Sequence, residues 1–303
     1  MISLSMPFVA FSQVPAYGNA AEVQTLSELR NLQRSRDTQE LQVQAMLIRE
    51  RVLGKENKET SSIIKYFAAV NADENKSSRA VALLFHILDN LSSVNPFHNK
   101  TVDVYAFLVS LLVEIGRPDD EKTQLSFSDT MTALKRSVSD FRRGEAELSK
   151  AEGKASNGQS HVSAGGNAEL REFKRKRERK KRENLLKIIL HLIVLAYSSK
   201  GEATAREWRE VLDTVRSFVK TEVRGMNGST LLHMAVDENT TEFADSWKAF
   251  VFPSLEAVQA LLKAGCDVNA VNDAGRTALQ CLRAEGKGEH SGIVDTLVAA
   301  GAR

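Results

Sequence analysis

The constraint that bears hardest on this chain is a near-repetition between Gly228 and Arg303. The run Asn227-Gly-Ser-Thr-Leu-Leu-His-Met-Ala235 is echoed by Ala274-Gly-Arg-Thr-Ala-Leu-Gln-Cys281. Likewise Leu261-Leu-Lys-Ala-Gly-Cys266 is echoed by Leu297-Val-Ala-Ala-Gly-Ala302. Each repeated residue has a mechanical reason. Gly228 and Gly275 fall where a turn opens each unit and positive φ is needed. Thr230 and Thr277 stand where a hydroxyl caps a following helix. Leu232 and Leu279 begin the buried face of that helix. Gly265 and Gly301 fall at helix C-caps. Such units bury their faces only against neighbours, so the segment predicts stacked helix pairs.

These residues resemble two ankyrin repeats, units of about 33 residues built from a turn and two helices. Gly265 to Gly275 spans 10 residues, the spacing of an intact junction. Gly228 to Gly265 spans 37 residues, about 14 more than the repeat needs. The surplus is expected to loop out over Asp237–Ser254, between the two helices. It carries Phe243, Trp247 and Phe250, which are candidate partner contacts; the plainer reading folds these aromatics back onto the array. His233 holds the family's usual histidine position as a structural group, and Gln280 replaces it in the second unit.

Upstream, apolar residues recur every three or four positions, the signature of helices with one buried face. Leu41, Ala45, Ile48 and Val52 form one such stripe, with Met46, Leu47 and Leu53 widening it. Further helices are expected over 61–70, 77–91, 101–115 and 127–148. Leu53–Thr60 and Val94–Thr101 correspond at an offset of 41 residues. Helix pairs at that distance resemble an extended tetratricopeptide repeat, whose commoner form has about 34 residues. Residues 152–166 are rich in Gly, Ser, Asn and Lys and are expected to be a disordered loop. Leu185–Tyr197 is 13 residues long and interrupted by Lys187 and His191, too short to span hydrocarbon of about 30 Å. It reads as a buried helix. The expected organisation is a lead-in over 1–25, helical repeats over 26–150, a disordered and basic insertion over 151–183, closing helices over 184–222 and ankyrin repeats over 223–303. The fold class is all-α, a solenoid of helix pairs followed by two ankyrin repeats.

Charge and composition narrow the function. The 41 Lys and Arg against 39 Asp and Glu leave a net charge of +2, which gives nucleic-acid or membrane-surface binding no support. The exception is local: Lys174, Arg175, Lys176, Arg177, Arg179, Lys180, Lys181 and Arg182 are interrupted only by Glu178. A solvated helix extension is the plain reading of that run; a nuclear-import signal or a polyanion contact is the alternative. The start lacks the basic n-region of a signal peptide. Two cysteines, Cys266 and Cys281, suit a reducing compartment, so the expected location is cytoplasmic, with the nucleus as an addition. The six histidines, among them His86 and His191 in apolar helices, do not pair with cysteine at metal-ligand spacing. No phosphate loop or nucleophile elbow occurs. No catalytic residue, metal ligand or cofactor is assigned, and the chain is not expected to be an enzyme.

Set in order, Phe11-Ser-Gln-Val-Pro-Ala-Tyr-Gly18, Met46-Leu-Ile-Arg-Glu-Arg-Val-Leu-Gly54, Ala69-Val-Asn-Ala-Asp73, Ile188-Ile-Leu-His-Leu-Ile193, Leu231-Leu-His-Met-Ala-Val-Asp-Glu-Asn-Thr-Thr241, Phe252-Pro-Ser-Leu255 and Gly265-Cys-Asp-Val-Asn269 are similar to the feminization (Fem) family. Asn57-Lys58 stands where that family usually has His-Pro. The resemblance implies a substrate receptor of a cullin–RING ubiquitin ligase that recognises degron-bearing proteins; the alternative is a helical-repeat scaffold without a ligase role. The family places an ankyrin array before the helical repeats and an elongin- and cullin-binding box after the second ankyrin group. These 303 residues hold neither, so a fragment or shortened member is expected and no degron-contacting residue is carried over.

Overall fold

Helix starts follow the residues able to accept the first unpaired backbone N–H groups. In the computed structural model, which describes residues 14–92, 95–116, 126–157, 166–244, 247–284 and 290–303 (backbone only at 92, 151–157, 166–172, 174 and 175), regular structure among the described residues is helical. The chain divides into two compact units, with the break between residues 94 and 95.

The first unit contains a 3-10 turn at Pro15–Tyr17 and helices α1 (Leu26–Ser35), α2 (Thr38–Leu53), α3 (Lys58–Asp73) and α4 (Ser77–Ser92). Thr25 and Glu28 form a capping box at the start of α1. Asp37 accepts from the Gln39 N–H at 2.7 Å to start α2. Asn57 accepts from the Glu59 N–H at 2.8 Å to start α3. Where the family usually carries His-Pro, Asn57 thus supplies the cap and Lys58 the first helical residue. Helices α3 and α4 pack together across the turn at residues 74–76.

Only part of the stripe read along α2 is buried. Leu41, Ile48, Val52 and Leu53 are exposed, whereas Val43, Met46, Leu47 and Glu50 face the core. The face was misjudged because a buried carboxylate closes it. Glu50 is 2% exposed and accepts a hydrogen bond from the Tyr17 hydroxyl at 2.9 Å. His86 Nε2 lies 2.6 Å from the same oxygen, and the Tyr17 and His86 rings meet edge to face at 5.0 Å. A polar group with such partners is tolerated in a core.

The second unit contains α5 (Asn99–Ile115), α6 (Phe127–Asn157), α7 (Gly166–Ser198), α8 (Ala205–Val219), α9 (Leu231–Ala235), α10 (Leu255–Lys263), α11 (Ala278–Ala284) and α12 (Ser291–Ala299). His98 caps α5, its Nδ1 accepting from the Lys100 N–H at 3.2 Å. The caps of α3 and α5 therefore stand at residues 57 and 98, the 41-residue offset read from the sequence.

Helix α7 is the axis of this unit. Every residue from Leu185 to Ala196 is buried except Lys187, which is half-buried. A helix apolar on all sides must be covered on all sides; α5 and α6 pack on it, as do α9 and α10 of the ankyrin part. An aromatic chain, Phe97–Phe141–Phe218, tightens the α5–α6–α8 side, with successive ring centroids 5.6 Å apart and edge to face.

The expected disordered insertion over 151–183 is corrected. Helix α6 runs on to Asn157 and α7 begins at Gly166, so the basic run is the first half of the core helix. Residues 158–165 lie outside the described residues. The reason is propagation: Ala, Glu, Lys and Arg are good helix formers, and each adds one backbone bond to a helix already nucleated by buried residues.

The ankyrin part keeps the predicted turn chemistry. Gly228 has φ 66°, and a Cβ there would stand 2.1 Å from Asp273 Oδ1 and 2.9 Å from the Asp273 backbone nitrogen. That close approach carries a bond between successive turns, from the Asp273 N–H to the Asn227 carbonyl at 3.0 Å. Gly265, Gly275 and Gly301 also take left-handed backbone. Thr230 caps α9 in a box with His233. Gln280 reproduces that box in the second repeat, accepting from the Thr277 N–H at 3.0 Å. After Gly301, Asn269 donates to the Gly301 carbonyl at 3.1 Å and accepts from the Arg303 N–H at 3.0 Å.

Candidate protein-interaction site

Within the second unit, α7 and two parts of the insertion, residues 238–244 and 251–253, form the walls of a groove. Arg177, Lys180, Asn184 and Lys187 recur at three- and four-residue spacing, so they share one face of α7. Opposite them run Glu238, Asn239, Glu242 and the segment Val251–Pro253. The hollow between encloses about 840 Å³. A smaller hollow of about 190 Å³ adjoins it, sharing Lys180, Asn184 and Ala244 and reaching Asn99 and Arg177.

His191 fixes the insertion to α7. Its Nε2 donates to the Thr240 carbonyl at 3.0 Å, and its Nδ1 accepts from the Phe250 N–H at 3.1 Å. Those two bonds require the neutral ring, and burial pushes the imidazole down from 6.5 to about 4. Phe243 and Phe252 pack on the same ring, with centroids 4.5 and 4.9 Å away. Lys187 adds a second tie, its ammonium bonding the carbonyls of Asn239 and Glu242, the latter at 3.0 Å. Burial lowers the pKa of that ammonium.

The three aromatics named from the sequence take different places. Phe243 is 2% exposed and fills the core beside His191, so its ring is not offered to a partner. Trp247 and Phe250 are half-buried. Trp247 pairs with Phe243 through two backbone bonds of 3.0 and 3.1 Å, and its ring lies 5.9 Å from that of Phe107 on α5.

The basic run divides in two. The side chains of Lys174 and Arg175 lie outside the described residues. Lys176, Arg177, Arg179 and Lys180 are exposed. Lys181 pairs with Glu178 at 2.8 Å. Arg182 grips Glu145 through two bonds of 2.6 and 2.7 Å, reaches the Arg224 carbonyl and covers the Phe141 ring at 5.2 Å. Its role is structural, which a run of like charges in sequence does not reveal.

His233 is a tie between the two repeats. Its Nε2 donates to the Arg276 carbonyl at 2.8 Å while Nδ1 meets the Thr230 hydroxyl at 2.8 Å; burial lowers its pKa. Burial pushes the Cys266 thiol up to about 12, which disfavours its thiolate at neutral pH. Among the described residues no group of three or more His, Cys, Asp or Glu could hold a metal ion. No helix among them is long and apolar enough to cross a membrane. The arrangement offers surface and charge for binding proteins.

Comparison with known proteins agrees. The ankyrin repeat family matches residues 227–273. The chain is 31% identical over 294 residues to protein fem-1 homolog A of Rattus norvegicus, covering 95% of this chain and 40% of that protein. It is 31% identical over 271 residues to protein fem-1 homolog C of Danio rerio, covering 84% of this chain and 38% of that protein. With protein fem-1 homolog C of Homo sapiens it shares 29% over 293 residues, 95% of this chain and 42% of that protein. The chain thus spans about two-fifths of the length of the curated relatives it matches.

Proposed function

Because the chain belongs to the Fem family of ankyrin-repeat proteins, we propose that it is a substrate-recognition adaptor of a cullin–RING ubiquitin ligase. The observation that carries the adaptor reading is the groove of about 840 Å³ between α7 and an insertion pinned by His191 and Lys187. Ankyrin repeats present turns and inserted loops on a rigid helical stack, a geometry suited to protein recognition rather than to chemistry. The half-buried Trp247 and Phe250 beside the groove are its proposed apolar contacts. The helices preceding the ankyrin part serve as tetratricopeptide-like support. The protein works in the cytoplasm and, through the exposed residues of the Lys174–Arg182 run, in the nucleus.

The test is affinity capture with the natural gene product, probed for elongin and cullin subunits. Stoichiometric recovery of both is expected. Recovery of neither would refute the ligase role and leave a helical-repeat scaffold.

A further inference from the structure

We propose that the α7–insertion groove binds an extended acidic peptide segment of a client protein, with acidic side chains on Arg177 and Lys180 and an apolar side chain at Val251–Pro253. The inference rests on the adaptor reading and names the chemical class of the client.

The charge balance of the lining carries it. Lys181 is matched by Glu178, Lys187 by two carbonyls and Glu242 by Lys248 at 2.7 Å. Glu238 and Asp103 are also engaged. Arg177 and Lys180 have no hydrogen-bond or ion-pair partner among the described residues. Among the described residues the uncompensated charge of the groove is therefore cationic and is carried by Arg177 and Lys180. The His98 imidazole is held below its usual range by burial first and then by Lys181 and Lys100, with Glu178 opposing the shift and Arg177 adding to it. The start of α5 turns its positive dipole end toward the same smaller hollow, through Asn99.

The larger hollow also has an apolar lip. Val251 is 78% exposed and stands beside Phe252 and Pro253 on the groove wall. From Arg177 to Lys187 is ten residues of helix, about 15 Å at 1.5 Å per residue. An extended peptide covers about 15 Å in roughly five residues. One segment of that length spans the α7 wall, with its carboxylates on Arg177 and Lys180 and an apolar side chain on Val251. A nucleic acid fits less well, because the apolar lip at Val251 offers nothing to a phosphate backbone.

Fluorescence anisotropy on the full chain tests this, with a labelled peptide of about eight residues carrying three acidic residues followed by Leu and Phe. Saturable binding is expected, weakened as salt approaches about 1 M, where the screening length shrinks to about 3 Å. The Arg177→Glu/Lys180→Glu double variant should lose at least about tenfold in affinity, and Val251→Asp should lose severalfold. Both substitutions are at exposed positions, and unchanged circular dichroism will confirm the fold. A peptide with lysines for its acidic residues should not bind. No saturable binding of the acidic peptide, or no effect of the double reversal, would overturn the proposal. So would displacement by a single-stranded oligonucleotide together with indifference to Val251→Asp, since the site would then read polyanions. Loss of peptide binding alongside intact capture of ligase subunits would reject the client class and leave the adaptor role standing.

Discussion

Replacing His191 with leucine removes a donor and an acceptor from a site with no access to water. His191 is 0% exposed, and the substitution leaves the Thr240 carbonyl and the Phe250 N–H unpaired in a ring of phenylalanines. At about 1–3 kcal/mol for each of the two orphaned groups, the expected loss is about 2–6 kcal/mol. The pH dependence gives a sharper test. In the unfolded chain the imidazole titrates near 6.5, and in the folded protein near 4. Above pH 6.5 both states are neutral and the stability contribution is complete. As pH falls from 6.5 toward 4 the unfolded chain takes up a proton that the folded protein refuses, so stability is lost. At about 1.36 kcal/mol per unit of pKa shift, the loss between pH 7 and 5 is about 2 kcal/mol. Urea unfolding followed by tryptophan fluorescence reads the second unit alone, because both tryptophans, Trp208 and Trp247, lie in it. Other titrating groups are common to wild type and His191→Leu, so the difference between their pH slopes isolates the histidine. Parallel slopes from pH 7 to 5 would refute the neutral clamp.

A Cβ at Gly144 would stand 2.4 Å from the Phe97 ring, which is wedged against Phe141. Gly144→Ala should therefore cost about 1–3 kcal/mol of overpacking, more than the roughly 1 kcal/mol that alanine gains in a helix; an increased urea midpoint would contradict the packing. Tyr17→Phe should destabilise the first unit by about 1–2 kcal/mol through the lost bond to Glu50, read by circular dichroism during thermal unfolding. Exchanging Lys176, Arg177, Arg179 and Lys180 for Ser and Gln should leave helical content unchanged, because these side chains are exposed, and lower nuclear abundance; unchanged abundance would remove the import role.

Features set by local chemistry were legible in the sequence. Turn glycines, threonine caps and the largely apolar stretch 185–196 each follow from one residue's backbone or burial preference, and they place the ankyrin part and the axis of the second unit. What escaped depends on partners distant in sequence. Glu50 reads as a solvent residue until Tyr17 and His86 are seen beside it, and of the stripe read along α2 only Met46 and Leu47 are fully in the core. Arg182 reads as one cation among eight until Glu145 and Phe141 claim it. The insertion announced its length through the glycine spacing, but its path is set by His191, some 50 residues upstream. The groove is assembled from a helix face and a loop, so spacing alone shows only one of its walls.

The central claim, that this groove is where the adaptor meets its client, is tested most directly by site-specific photocrosslinking in the natural gene product. A photoreactive residue at Val251 is compared with one at Arg206, an exposed position on α8. The account predicts discrete protein adducts at Val251, mapped to acid-rich segments and abolished by Arg177→Glu/Lys180→Glu. The same adducts at both positions, or adducts at Val251 that survive the double reversal, would contradict it.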